Sequence, residues 1–123
     1  MRLLLLALLA LFGLSQPVDE AIGAFTVVDG DTVVTASERI RIANIDAPET
    51  RGAACEAKAR LGRLTAELLR ALLSQGTPIV RREGEDRHGR TLARISVNGR
   101  DVGETLVREG LARSWDGRRR PWC

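Results

Sequence analysis

Apolar residues recur along this chain with two different periods, and the changes of period divide it into elements. Phe25-Thr26-Val27-Val28 and Thr32-Val33-Val34-Thr35 are short, largely β-branched runs on either side of Asp29-Gly30-Asp31, and Asp-Gly is a common hairpin signal. Arg39-Ile40-Arg41-Ile42-Ala43-Asn44-Ile45 predicts a third strand. From Ala53 to Ser74 the period lengthens: Ala57, Leu61, Leu64, Leu68 and Leu72 step by threes and fours, predicting a long helix with that stripe in the core. Arg60, Arg63, Glu67 and Arg70 fall largely off the stripe, and Gly76 with Pro78 supplies the stop. Thr77 to Arg82 and Thr91 to Val97 predict two more strands, joined by the charged loop Glu83 to Arg90, with a tight turn at Asn98-Gly99. Asp101 with Glu104 is an acidic form of a capping box. It opens a short helix through Val102, Leu106 and Val107 that ends at Gly110.

Three strands, a helix, two strands and a helix predict an α+β domain. The order fits a small five-stranded β-barrel of the OB type, with the long helix after strand 3 and the short one after strand 5, and it also fits other α+β folds. No repeat, low-complexity segment or second domain is visible in the 123 residues. The start is different in kind: Met1-Arg2, an apolar stretch Leu3 to Leu14, and a polar exit at Ser15-Gln16-Pro17 follow the pattern of a secretory signal peptide. Cleavage after Ser15, Ala21 or Ala24 fits. Residues 1–23 are therefore expected to be signal peptide and a short N-terminal segment, and residues 24–123 the folded domain. Export to a periplasm or the medium follows, with no stable membrane association after cleavage, and a monomer is expected. In an exported chain the even pair Cys55 and Cys123 predicts a disulfide.

Lys and Arg together number 19 against 16 for Asp and Glu, so bulk charge says little about a partner. Distribution says more. Arg81-Arg82, Arg87, Arg90 and Arg118-Arg119-Arg120 are clustered, and almost every basic residue is arginine, which grips phosphate through two parallel hydrogen bonds. For the tail, a solvated basic face is at least as good a reading.

The chemistry concentrates in Asp29-Gly30-Asp31-Thr32 and Asp46-Ala47-Pro48-Glu49-Thr50, which place several carboxylates at strand ends. Alone, each fragment reads as a solvated turn. Together they point to a hard divalent cation, Ca²⁺ or Mg²⁺, because the chain has one histidine and two widely separated cysteines, too few for ordinary zinc spacing. Arg41 and Arg90 are candidates to stabilise the charge that develops on a phosphate under attack by water, and Glu49 to position or deprotonate that water. One geometric obstacle stands against this. In an ideal strand Arg41 and Asp46 have opposite parity, so a bulge or turn near Asn44 must bring them together.

Val28-Asp29-Gly30-Asp31-Thr32, Arg41 followed by Asp46-Ala47-Pro48-Glu49-Thr50, Asp86 to Arg90, and Leu106-Val107-Arg108-Glu109-Gly110-Leu111-Ala112 resemble the staphylococcal nuclease, or thermonuclease, family. The resemblance covers nearly everything from Phe25 to about Ser114. It implies an OB-fold barrel and a Ca²⁺-dependent nuclease acting on single- and double-stranded DNA and RNA with little sequence preference, leaving 3′-phosphate ends. It implies Asp31, Asp46 and the main-chain carbonyl of Ala47 as calcium ligands, Glu49 as the residue acting on water, Arg41 and Arg90 as the phosphate clamp, and Asp29 as support for the calcium loop. Arg87 and His88 stand where the best-known member has Lys-Tyr and become substrate-binding candidates. Glu104 and Arg108 fall on family positions read as structural. Two other readings remain: an OB module that binds single-stranded nucleic acid without cleaving it, and a structural calcium-binding domain.

Overall fold

The β-branched runs pair largely as the sequence predicts. A computed structural model describes residues 18–123, so the apolar run Leu3 to Leu14 lies outside the described residues. β1 (Asp19–Ala21) is followed by the hairpin of β2 (Thr26–Asp29) and β3 (Thr32–Val34), whose ladder shifts register between Val27 and Asp29. β3 pairs antiparallel with β4 (Arg39–Ile42). The run expected to continue as one strand breaks at Ala43-Asn44 and resumes as β5 (Ile45–Asp46). The long helix α1 spans Glu56–Leu73. β6 (Ile79–Glu85) and β7 (Thr91–Val97) form the second hairpin, the short β8 (Arg100–Asp101) pairs with β7, and α2 (Val102–Arg108) and β9 (Arg113–Ser114) complete the order.

The main sheet is mixed, in the order β1-β6-β7-β4-β3-β2, with β8 on β7. Its one parallel ladder, β4 with β7, registers Ile40 with Thr91 and Ile42 with Ala93. The fold is thus α+β, as expected, and consistent with the OB type, but it departs from the expected five-stranded barrel in strand count and closure. The described residues contain nine strands, and the sheet is open. The free edge of β6 is taken by β1, where Glu20 faces Val80, and β2 remains the other edge. Arg81 and Arg82, one of the arginine clusters in the sequence, fasten this edge. Arg81 Nε lies 2.7 Å from Asp19 Oδ1, and Arg82 pairs with Glu20 and with Glu38, which also accepts a hydrogen bond from Thr91.

The core lies between the sheet and the helices. Ile40, Ile42, Leu69, Val80, Ala93 and Leu106 are inaccessible to solvent, and each large aliphatic group among them stabilises the fold by about 1.5–3 kcal/mol. The helix face differs from the predicted one. Gly62, Thr65, Ala66, Leu69 and Leu73 are buried, whereas Leu64 is 48% exposed, Leu61 is half-buried, and Leu68 and Leu72 only border the core. The reason is close approach. A Cβ on Gly62 would stand 2.8 Å from the Glu49 carbonyl oxygen and 2.9 Å from that of Pro48, and one on Gly30 would stand 2.3 Å from Thr65 Cγ2. Small residues let α1 lie directly on both candidate site loops. Thr65 Oγ1 donates into this contact region, 2.7 Å from the carbonyl oxygens of Leu61 and Leu111.

Asp101 caps α2 as predicted, its Oδ1 accepting the Glu104 N–H at 2.9 Å. Glu104 and Arg108 are both exposed, and no ion pair joins them. Cys55 and Cys123 are bridged, with Cα atoms 6.0 Å apart, so the tail returns to the start of α1. No helix among the described residues is long and apolar enough to cross a membrane.

Candidate functional site

The turn between β2 and β3 places Asp31 where three hydrogen-bonding partners meet it. Its carbonyl oxygen accepts the Ile42 N–H at 2.8 Å, Oδ2 accepts the Ala47 N–H at 3.0 Å, and Oδ1 accepts the Thr32 hydroxyl at 3.1 Å. Asp31 is thereby joined to β4 and to the chain beyond β5. Asp29 holds the other side of that loop, with Oδ1 accepting both the N–H and the hydroxyl of Thr50, at 3.1 and 2.8 Å.

Arg41 closes the cluster. The turn at Ala43-Asn44 resolves the parity obstacle, and Arg41 Nη2 lies 3.6 Å from Asp31 Oδ2 and 3.9 Å from Asp46 Oδ1. Arg41 also donates to the Ile42 carbonyl and lies under the Trp115 ring, 5.9 Å from its centroid. Burial pushes the Asp31 carboxyl above its ordinary pKa. Arg41, the Ala47 N–H and the Thr32 hydroxyl oppose that shift, while Asp46 adds to it.

Two carboxylates facing one guanidinium, next to main chain and away from cysteine, form an all-oxygen donor set of the kind a hard cation takes. Asp31 and Asp46 fit such an ion as a pair. The described residues contain no group of three or more His, Cys, Asp or Glu side chains able to hold a metal, so an ion on this pair would need main-chain oxygen, water or substrate for its other ligands.

Arg90 sits at the entrance to β7, held by Asp86. Asp86 Oδ1 accepts the N–H groups of Arg90 and His88, both at 2.9 Å, and Oδ2 accepts Arg90 Nε at 2.8 Å. Burial alone would raise the Asp86 carboxyl, but these donors outweigh it and hold the pKa below the ordinary value. Arg41, Arg87, His88 and Arg90 line one hollow of about 350 Å³, together with Trp115 and Arg119. Asp46, Ala47 and Glu49 line a second of about 300 Å³ with Lys58 and Arg119. Apart from Asp31, which lines neither, the predicted site residues are therefore distributed over two hollows that share Arg119.

Glu49 is exposed and pairs with Arg119, its Oε1 3.2 Å from Nη1. From the sequence, a solvated basic face is at least as good a reading of Arg119 as a phosphate contact. Its signal was the cysteine pair, because a bridge from Cys123 to Cys55 must carry the tail back past Glu49. Trp115 was missed as well. Its N–H donates to the Asn44 carbonyl at 3.0 Å, an anchor that only the β5–β9 ladder reveals.

The turn-bound carboxylates, the clamped arginines and the helix packed on both loops belong to a recognised class. Residues 39–121 match the family described as staphylococcal nuclease homologue, and the chain belongs to that family. It is similar to the succinoglycan biosynthesis protein ExoI of Rhizobium meliloti (strain 1021), 35% identical over 106 residues that cover 81% of this chain and 53% of that protein. Endonuclease YhcR of Bacillus subtilis (strain 168) is 37% identical over 99 residues, covering 70% of this chain and 8% of that one. An uncharacterized endonuclease of Escherichia coli O157:H7 is 34% identical over 91 residues, 70% of this chain and 55% of that one. The chain thus spans about half the length of two of these relatives and a small part of the third.

Proposed function

We propose that this protein is an exported, calcium-dependent nuclease that hydrolyses phosphodiester bonds of DNA and RNA and leaves 3′-phosphate ends. The observation that carries the reading is Arg41, which contacts both Asp31 and Asp46 and lines the same hollow as Arg90. Family membership and the similarity to proteins named endonucleases support it. Asp31, Asp46 and the Ala47 carbonyl would hold Ca²⁺, which supplies Lewis-acid neutralisation of a phosphate oxygen. Arg41 and Arg90 donate hydrogen bonds to the non-bridging oxygens, where charge grows as water adds to phosphorus. Glu49 orients that water and takes its proton, the bond from phosphorus to the 5′ oxygen breaks, that oxygen leaves as a hydroxyl with a proton from solvent, and the phosphate stays on the 3′ side. Arg87 and His88, exposed on the turn before Arg90, contact the flanking nucleotide.

Export rests on the apolar segment Leu3 to Leu14 and on the disulfide. Cleavage after Ser15 would retain β1, whereas cleavage after Ala24 would remove it.

The test is incubation of the oxidised protein with single-stranded DNA and RNA oligonucleotides in CaCl₂ and in chelator, with analysis of the product ends. Calcium-dependent products bearing 3′-phosphate are expected. The exposed tail arginines favour the binding-module reading as the runner-up. Tight, salt-sensitive binding without cleavage would select it.

A further inference from the structure

The mechanism above uses Arg41 and Arg90 and leaves the tail arginines aside, yet one of them stands at the centre of the site. Arg119 lines the hollow that holds Arg41 and Arg90 and also the hollow that holds Asp46 and Glu49. A phosphodiester chain passing from one to the other must pass its guanidinium. We propose that Arg119 binds the phosphate next to the scissile one and that the Cys55–Cys123 bridge keeps it in place for that purpose. The proposal rests on the phosphodiesterase reading and adds a subsite to it.

Three features support it. The contact between Arg119 and Glu49 is an exposed ion pair, with the side chains 69% and 48% accessible, so it is weak and readily exchanged. A phosphodiester offers a guanidinium two non-bridging oxygens that share one negative charge, as a carboxylate does, and the exchange frees the Glu49 carboxylate for water. Lastly, the tail is held on both sides of Arg119. Arg113 Nη1 donates to the carbonyl oxygens of Arg120 and Pro121 at 3.2 and 3.1 Å, and its guanidinium lies 3.8 Å from the Trp122 ring centroid. On the other side, Arg113 is paired in register with Asp46 through β5 and β9. Cys123 lies four residues beyond Arg119, which limits their separation to about 14 Å, and the bridge fixes Cys123 to the residue that precedes α1. The bridge is thus the tail's covalent anchor to α1, beside the non-covalent contacts of Arg113.

The experiment measures binding of a fluorescein-labelled ten-residue oligothymidylate in chelator as a function of salt. The wild type, Arg119→Ala, Cys55→Ser/Cys123→Ser, and the combination of all three changes are compared. Arg108→Ala, exposed on α2, controls for loss of a positive charge, and circular dichroism checks folding. Arg119→Ala is expected to weaken binding about tenfold and to reduce the slope of log affinity against log salt by about 0.7, as for one phosphate contact on a single strand. In the protein lacking both cysteines the same change should cost about twofold or less. An Arg119→Ala effect equal to that of Arg108→Ala, with an unchanged slope, overturns the subsite. A full tenfold loss in the cysteine-free background overturns the role of the bridge. A wild type that neither binds nor cleaves removes the phosphodiesterase reading itself, an outcome distinct from both.

Discussion

Arg41 and Asp46 are five residues apart on successive strands, and the turn at Ala43-Asn44 brings Nη2 of the first to 3.9 Å from Oδ1 of the second. Continuous strand geometry would have put them on opposite faces. The turn is held by the main chain, with the Ala43 N–H donating to the Ala93 carbonyl at 2.8 Å and the Asn44 carbonyl accepting from Trp115. The cluster of charges is thereby built on a rigid scaffold.

That cluster is expected to cost stability. The folded-state pKa of Asp31 is raised, so its contribution is most favourable below its unfolded value near 3.8 and is lost as pH rises through the folded value. The penalty therefore grows as pH rises above 3.8. Asparagine can accept from the Ala47 N–H and donate to the Thr32 hydroxyl, which makes it a near-isosteric neutral replacement. Asp31→Asn should raise the urea midpoint of the chelated protein at pH 7, and the gain should vanish near pH 4.

Calcium should reverse the order. An ion that binds only the folded state at 100 times its dissociation constant stabilises by about 2.7 kcal/mol. Thermal melts in CaCl₂ should show that shift in the wild type and a much smaller one in Asp31→Asn.

Helix α1 gives a pair of contrasting predictions. Leu69 is fully buried and Leu64 is not. Leu69→Ala should cost about 2–5 kcal/mol in denaturant titrations, and Leu64→Ala less than about 0.5 kcal/mol.

Gly62→Ala tests the contact between helix and site loop. Alanine favours an isolated helix by about 1 kcal/mol, but here its methyl would meet two backbone carbonyls at under 3.0 Å. Overpacking against main chain should win, destabilising by about 1–3 kcal/mol and displacing Glu49, so that cleavage falls further than the folded fraction does.

The bridge closes a long loop, with a sequence separation of 68 residues. Chain-entropy reasoning gives it about 4 kcal/mol, so Cys55→Ser/Cys123→Ser should lower the unfolding free energy by roughly that amount in denaturant titrations.

Local chemistry was the legible part of this chain. The β2–β3 hairpin follows from Asp-Gly between β-branched runs, α2 from its Asp101 cap, and the family from the joint spacing of Asp31, Arg41, Asp46, Glu49 and Arg90. The register of α1 was not legible, because counting leucines rewards size, whereas the closest packing needed Gly62, Thr65 and Ala66. Nor was the open sheet. β1 is a three-residue strand that is exposed throughout and carries no apolar alternation, and only its ladder and ion pairs to β6 define it. Arg81 and Arg119 show the limit from the charge side, since adjacent arginines look alike in sequence until their carboxylate partners are known.

Cleavage of phosphodiester bonds is the role proposed for Arg41, Arg90 and Glu49. The most direct measurement is the initial rate of single-stranded DNA cleavage in CaCl₂ by the wild type, Glu49→Gln and Arg90→Ala, each verified as folded and bridged. Cleavage by the wild type that chelator abolishes is expected, with losses of at least about a hundredfold in each variant, the usual scale for removing a general base or a transition-state donor. Wild-type rates in either variant, or cleavage that persists in chelator, would contradict that role.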